Sequence, residues 1–333
     1  MGPPFCGEEQ GMQKIIRLLL IVVFLALAGA AWYFIDDGAG RKGGAAMETV
    51  TDGTGEKVSI PVHPKRVVIL NPSNVDLFVA AGGADKIVGK PTTHSLSKKT
   101  AEAVKNVKEV GMIHQPSQET ILSLAPDLVI GVNVPYHVQL RESLAKAGIP
   151  LYINVLDSYD DVVRSLDFYG KLSDTEKEAA ASLAKLKTAH DEALQLGQGK
   201  TGPKTLILFR TPQGSSMATD KSFAGDILKQ LGGRNIAEEA GAATGAYVPM
   251  STEFVIRQNP EVLFIISMGN TEEQLRQFTD ELKADDAWNG LDAVKKDRLY
   301  VLPNELFTVN PGMRIGDAMK FMAGGLYGNG AAE

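Results

Sequence analysis

The sequence predicts an α/β protein built as two similar lobes with a cleft between them. Three observations lead there. Short β-branched runs alternate with helical segments, a motif recurs at a fixed offset, and one long charged helical stretch divides the two series. A length of 333 residues suits about two domains. With 44% apolar and 22% charged residues, the chain has the make-up of a globular protein rather than a disordered or polytopic one. The net charge is −6 and basic residues come only in short pairs, so nucleic acid is excluded as a partner. Cys6 is the single cysteine, which rules out an intrachain disulfide and a cysteine-rich metal site.

The first element is a targeting segment. Lys14 and Arg17 precede an uncharged run from Leu18 to Ile35, closed by Asp36-Asp37. A run of 18 residues is just long enough to cross a bilayer, with its basic side held in the cytoplasm. Two readings stand side by side: a signal peptide cut near Ala26-Leu27-Ala28 or Ala28-Gly29-Ala30, and an uncleaved membrane anchor. Either places the rest of the chain in the periplasm or another extracytoplasmic space. Residues 38–46 read as a flexible linker. The expected organisation is a leader and linker over 1–45, a first lobe over 46–156, an inter-lobe helical segment over 157–199 and a second lobe over 200–333.

In the first lobe, Val67-Val68-Ile69-Leu70 is a buried strand bounded by Pro64 and Pro72. Leu77 to Gly82 reads as a short helix closed by glycine, and Ile87-Val88-Gly89 as a strand. Ser117 to Leu124 is a helix, Asp127 to Ile130 a strand, Val138 to Lys146 a helix and Leu151 to Asn154 a strand. Residues 157–197 hold no proline and one glycine before Gly197, so a helix of about 20 residues from near Asp174 would run about 30 Å as a strut. The second lobe repeats the pattern. Strands fall at Leu206–Phe209 and Val262–Ser267, and helices at Phe223–Leu231, Thr252–Gln258, 271–283 and 313–327.

The repeat is specific. Ser117-x-Glu119 and Ser251-x-Glu253 each stand before a Pro-acid-strand motif, Pro126-Asp127-Leu128 and Pro260-Glu261-Val262, at a constant offset of 134 residues. A weaker echo pairs Leu77…Gly82-Gly83 with Ile227…Gly232-Gly233. Both serines sit where N-caps belong, and a carboxylate in the first turn is favoured by the helix dipole. A capping role explains both glutamates as well as a docking role does.

Taken together, Pro64-Lys65-Arg66-Val67-Val68, Val110-Gly111 through Ser117-x-Glu119, Pro126 to Ile130, Gly232-Gly233-x-Asn235-Ile236-Ala237 and Pro260-Glu261-Val262 resemble the substrate-binding proteins of ABC importers for iron-siderophores, haem and vitamin B12. The resemblance covers residues ~48–328. It implies two Rossmann-like lobes joined by one long α-helix, a ligand cleft between the lobes and no enzymatic activity. It also implies a membrane permease with its ATPase as partner, with Glu119 and Glu253 at the places where this family pairs a glutamate of each lobe with permease arginines. Gly89-Lys90-Pro91-Thr92-Thr93, Asp292 to Lys295 and Asn304 to Arg314 are similar to Gram-positive haem receptors.

That resemblance implies haem as the carried ligand. Those receptors place a methionine ligand where this chain has His114, and a histidine where it has Met268, so the two residue types are exchanged between lobes. One His and one Met would still reach the iron, an axial pair proteins use. Met112 could replace His114, and Tyr247 could replace Met268 as a phenolate. Arg210, Arg314 and His94 could pair with propionates or with an anionic ferric siderophore, the alternative ligand; cobalamin is a third. His63, His137 and His190 read as surface or capping residues. The sequence shows no Gly-x-x-x-x-Gly-Lys loop, no Gly-x-Ser-x-Gly elbow and no His-Glu-x-x-His helix, which leaves an enzyme without a motif.

Overall fold

The structure is a computed structural model and describes residues 46–241, 245–269 and 271–328. The apolar run and its linker lie outside the described residues; among those described, no helix is long and apolar enough to cross a membrane.

An antiparallel hairpin of β1 (Met47–Thr51) and β2 (Lys57–Pro61) opens the described chain. The first half continues with β3 (Val67–Ile69), α1 (Pro72–Ala80), β4 (Ile87–Lys90), α2 (Lys98–Ala103) and β5 (Lys108–Glu109). A two-pair hairpin, β6 (Gly111–Met112) with β7 (Gln115–Pro116), leads into α3 (Gln118–Ser123). Then come β8 (Leu128–Val132), α4 (Pro135–Val138), α5 (Arg141–Lys146) and β9 (Leu151–Asn154). The sheet is parallel, in the order β5-β4-β3-β8-β9. All of β3 is buried, as expected of a β-branched run with a layer on each face. Helix α1 starts earlier than the apolar pattern suggests, because Pro72 suits a first helical turn. The helix expected over 138–146 is two pieces: α4 lies against β8, and α5, which buries Leu144, lies against β9.

The linking segment is also two helices, α6 (Tyr159–Ser173) and α7 (Glu176–Gln195). Asp174 breaks them apart in the left-handed region, φ 57°. Helix α7 has the expected 20 residues. Its buried face includes Ala179, Leu186 and Ala193.

The second half holds β10 (Lys204–Thr211), β11 (Gly214–Ala218), α8 (Phe223–Gln230), β12 (Arg234–Asn235), β13 (Tyr247–Pro249) and α9 (Thr252–Gln258). After these come β14 (Val262–Ser267), α10 (Glu272–Ala284), α11 (Asp292–Lys295), β15 (Leu299–Val301), α12 (Asn304–Phe307) and α13 (Ile315–Tyr327). The sheet order is β13-β11-β10-β14-β15, with β12 also on β10. In each half the chain order reverses beside the central strand, between β3 and β8 and between β10 and β14. Ligands bind at the carboxyl ends of strands at such points.

The repeat is visible in bonds. Ser117 Oγ accepts from Thr120 N–H at 3.2 Å and Ser251 Oγ from Phe254 N–H at 3.3 Å, so both serines cap their helices. Asp127 accepts from the amides of Lys65 and Arg66, and Glu261 from Lys204, at the starts of β3 and β10. Gly82 and Gly232 follow α1 and α8 at φ 98° and 81°, a backbone only glycine adopts freely. The next glycine donates back in each case, Gly83 to Phe78 O and Gly233 to Leu228 O.

The halves are also tied by the strap over 308–314, which ends in a 3-10 turn at Gly312–Arg314. The Asn310 side chain is buried; its Nδ2 donates to Leu156 O at 3.0 Å and its Oδ1 accepts from Gly312 N–H at 2.8 Å. Ser73 Oγ, on α1, donates to Asn310 O.

Candidate functional site

Three adjoining cavities line the gap between the halves, of about 450, 470 and 250 Å³. Each is near or within the range of small-molecule sites, about 300–1,000 Å³. Ile113 and Val309 border all three. The first cavity is walled by both halves: His114, Tyr136 and Asp157 from one, Phe223, Tyr247, Met268 and Phe307 from the other. The second holds His94, Met112 and His114 beside Ser267, Gly269 and Glu305.

His114 occupies the tip of the β6–β7 hairpin, exposed, and borders both larger cavities. Tyr136 sets its ring edge-on to His114, centroids 6.4 Å apart. Met268 follows β14 directly and is 39% exposed, which is high for a methionine at a strand end. Met112 is likewise exposed, at 45%, but borders only the second cavity. Tyr247 lies on β13 with its ring 4.7 Å from Phe209. Loss of hydration, and secondly the charge of Asp157, push the Tyr247 phenol above its usual range.

The expected cations are elsewhere. Arg210 points to the outer face of its sheet, its guanidinium 4.6 Å from the Phe278 ring centroid and its Nη1 3.4 Å from Ser215 Oγ. Alternation along β10 explains this: Leu208 and Arg210 share the face packed against α10. Arg314 donates to Glu305 O at 2.9 Å and lies 3.5 Å from Ser95 O, behind the wall of the second cavity. Among the described residues lining the three cavities there is no Lys or Arg. The walls are apolar and aromatic with hydroxyls, two histidines and the acids Asp157 and Glu305. Burial, then Asp161, raises the Asp157 carboxyl's pKa.

Two histidines differ from their sequence reading. His137 is fully buried: Nδ1 accepts from Val132 N–H at 3.1 Å and Nε2 donates to Ile113 O at 2.9 Å. His190 is only 12% exposed at its side chain and stacks on Tyr159 at 3.9 Å, with Nε2 2.7 Å from Gln230 Oε1. His63 is exposed. Glu119 and Glu253 are both exposed in the first turns of α3 and α9. Glu253 has Arg257 at 3.5 Å, one turn along the helix.

Of the wall residues, Phe307 and Asn310 fall in the 304–314 stretch, whereas Tyr136, Asp157 and Phe223 have no sequence motif. Their common signal is position, since Tyr136 and Asp157 follow the ends of β8 and β9 in a fold whose strand ends face the cleft.

A two-lobed α/β body with a cleft at its strand ends offers a site for a small molecule. A family model described as periplasmic binding protein matches residues 67–306, and the chain belongs to that family. It is an ABC-type substrate-binding protein and not an enzyme. It is 27% identical over 316 residues to the uncharacterized ABC transporter substrate-binding lipoprotein YvrC of Bacillus subtilis, covering 93% of this chain and 95% of that one. It is 28% identical over 260 residues to the high-affinity heme uptake system protein IsdE of Staphylococcus aureus, covering 74% and 83%. The solved structure of IsdE complexed with heme aligns at TM-score 0.67 and 25% identity, over 79% of this chain and 98% of that one. An ABC transporter substrate-binding protein of Listeria monocytogenes aligns at 0.71 and 25%, over 80% and 100%.

Proposed function

We propose that this protein captures haem outside the cytoplasm and delivers it to a membrane permease driven by its ATPase. The observation that carries the reading is the first cavity. It is an apolar and aromatic slot with His114 on one wall, Met268 on the other, and no cation among its described lining residues. Such walls suit a flat apolar macrocycle held through its iron. They do not suit an anionic ferric siderophore, which needs charge-assisted donors, and Arg210 and Arg314 are engaged elsewhere. Similarity to IsdE supports the same reading.

In this account His114 and Met268 are the axial ligands, one per lobe, and Met112 flanks His114 as a substitute. Tyr247 packs on the macrocycle as a neutral phenol. The propionates meet His94 and the hydroxyls of Thr93 and Ser95 at the second cavity. Glu119 and Glu253 dock the permease, the N-terminal run directs the chain out of the cytoplasm, and residues 46–156 and 200–333 act as lobes hinged at 157–199.

Titrating the purified chain with haem, a ferric siderophore and cobalamin in parallel tests this. A saturable Soret shift that weakens in His114→Ala and in Met268→Ala is the expected result. Saturable binding of the siderophore with no response to haem would overturn it.

A further inference from the structure

We propose that His137 is a positioning residue for ligand capture, a buried tether that fixes the hairpin tip on which His114 sits. The inference rests on His114 being an iron ligand.

The tip needs a tether. The β6–β7 hairpin has only two residue pairs, Gly111↔Pro116 and Met112↔Gln115, and a ribbon that short is not stable by itself. Its base is held by backbone bonds, Thr92 N–H to Gly111 O at 2.8 Å and Ser117 N–H to Val110 O at 2.7 Å. These act below the tip. The bond from His137 Nε2 to Ile113 O, at 2.9 Å, acts on the residue next to His114.

The geometry also fixes the tautomer. Val132 N–H points at Nδ1 from 3.1 Å, so Nδ1 is the acceptor and the proton is on Nε2, facing the Ile113 carbonyl. Val132 ends a central strand of the first sheet, so the chain of contacts runs from rigid sheet through imidazole to hairpin tip. Room for the ring comes from Gly131, where a Cβ would stand 3.2 Å from both Cβ and Nδ1 of His137. Tyr136, the preceding residue on α4, holds His114 from the side. One short helical turn thus grips the tip twice. Outer contacts that orient a metal-binding side chain are typically worth about 10–100-fold in affinity.

The test compares His137→Gln, His137→Asn, His114→Ala and the unaltered full chain. Glutamine can place an amide donor where Nε2 stands; asparagine replaces only the Nδ1 acceptor. Three readouts are taken: hydrogen exchange of the amides of 111–115 without ligand, haem affinity, and the spin state of the bound ferric haem. His137→Asn should speed exchange at the tip, weaken haem about tenfold or more and give a mixed-spin spectrum. His137→Gln should restore all three. The tether is overturned if His137→Asn leaves tip exchange unchanged. It is equally overturned if both variants lose affinity only in step with their melting temperatures. Failure of the underlying reading has a different signature: His114→Ala would leave affinity and spin state unaltered while His137→Asn still loosens the tip.

Discussion

Replacing Asn310 by alanine tests whether the 308–314 strap joins the two halves. The side chain makes two bonds in a buried setting, to Leu156 O at 3.0 Å and from Gly312 N–H at 2.8 Å. Alanine leaves a carbonyl of the first half and an amide of the strap without partners. Each buried polar group so stranded costs about 1–3 kcal/mol, and allowing for relaxation the loss should be about 2–4 kcal/mol. For a body of this size that is roughly 3–7 °C in melting temperature. Thermal unfolding followed by circular dichroism measures it. Ser73 belongs to the same network, so Ser73→Ala combined with Asn310→Ala should lose less than the sum of the singles. Because Val309 and Asn310 also line the cleft, haem affinity should fall with stability. A melting temperature within about 1 °C of the unaltered protein would refute the reasoning.

Charge reversal at both Glu119 and Glu253 should abolish uptake in cells while leaving ligand affinity intact; an equal loss of affinity would remove the docking role. Arg210→Ala should change haem affinity less than about twofold and cost only about 0.5–2 kcal/mol of stability, because its partner is Phe278. Burial holds the His137 imidazole's pKa below its usual value. The unfolded chain therefore takes up the proton first as pH falls. This stability is complete above about pH 6.5 and is lost as the pH falls from there to the lowered folded value, at no more than about 1.4 kcal/mol per pH unit. Urea unfolding at two pH values should show this slope reduced in His137→Gln.

Much of the fold is legible in the sequence because it is local. Val67–Ile69 and Val262–Ser267 are strands by β-branched content, and Ser117 and Ser251 are caps by spacing. The glycine pairs after Leu77 and Ile227 close their helices through the same backbone bonds. What stayed hidden depends on partners far along the chain. His137 is buried because Ile113, from a separate hairpin, accepts its proton. His190 loses its surface to Tyr159 and Gln230. Arg210 is drawn to Phe278, on a helix that no local pattern places beside β10. The start of the long helix near Asp174 was legible, since Ser173-Asp174-Thr175 are residues that favour caps over helix interiors. In the site, His114, Met268 and Tyr247 meet at one cavity, whereas the aromatic walls Tyr136 and Phe223 carry no motif of their own.

The spin state of the ferric haem complex tests the central claim most directly. With His114 and Met268 both on the iron, electron paramagnetic resonance of the unaltered chain should show a six-coordinate low-spin centre. Met268→Ala should convert it to high spin, as should His114→Ala combined with Met112→Leu. A high-spin complex in the unaltered chain, or a low-spin signal that survives both variants, would contradict the account.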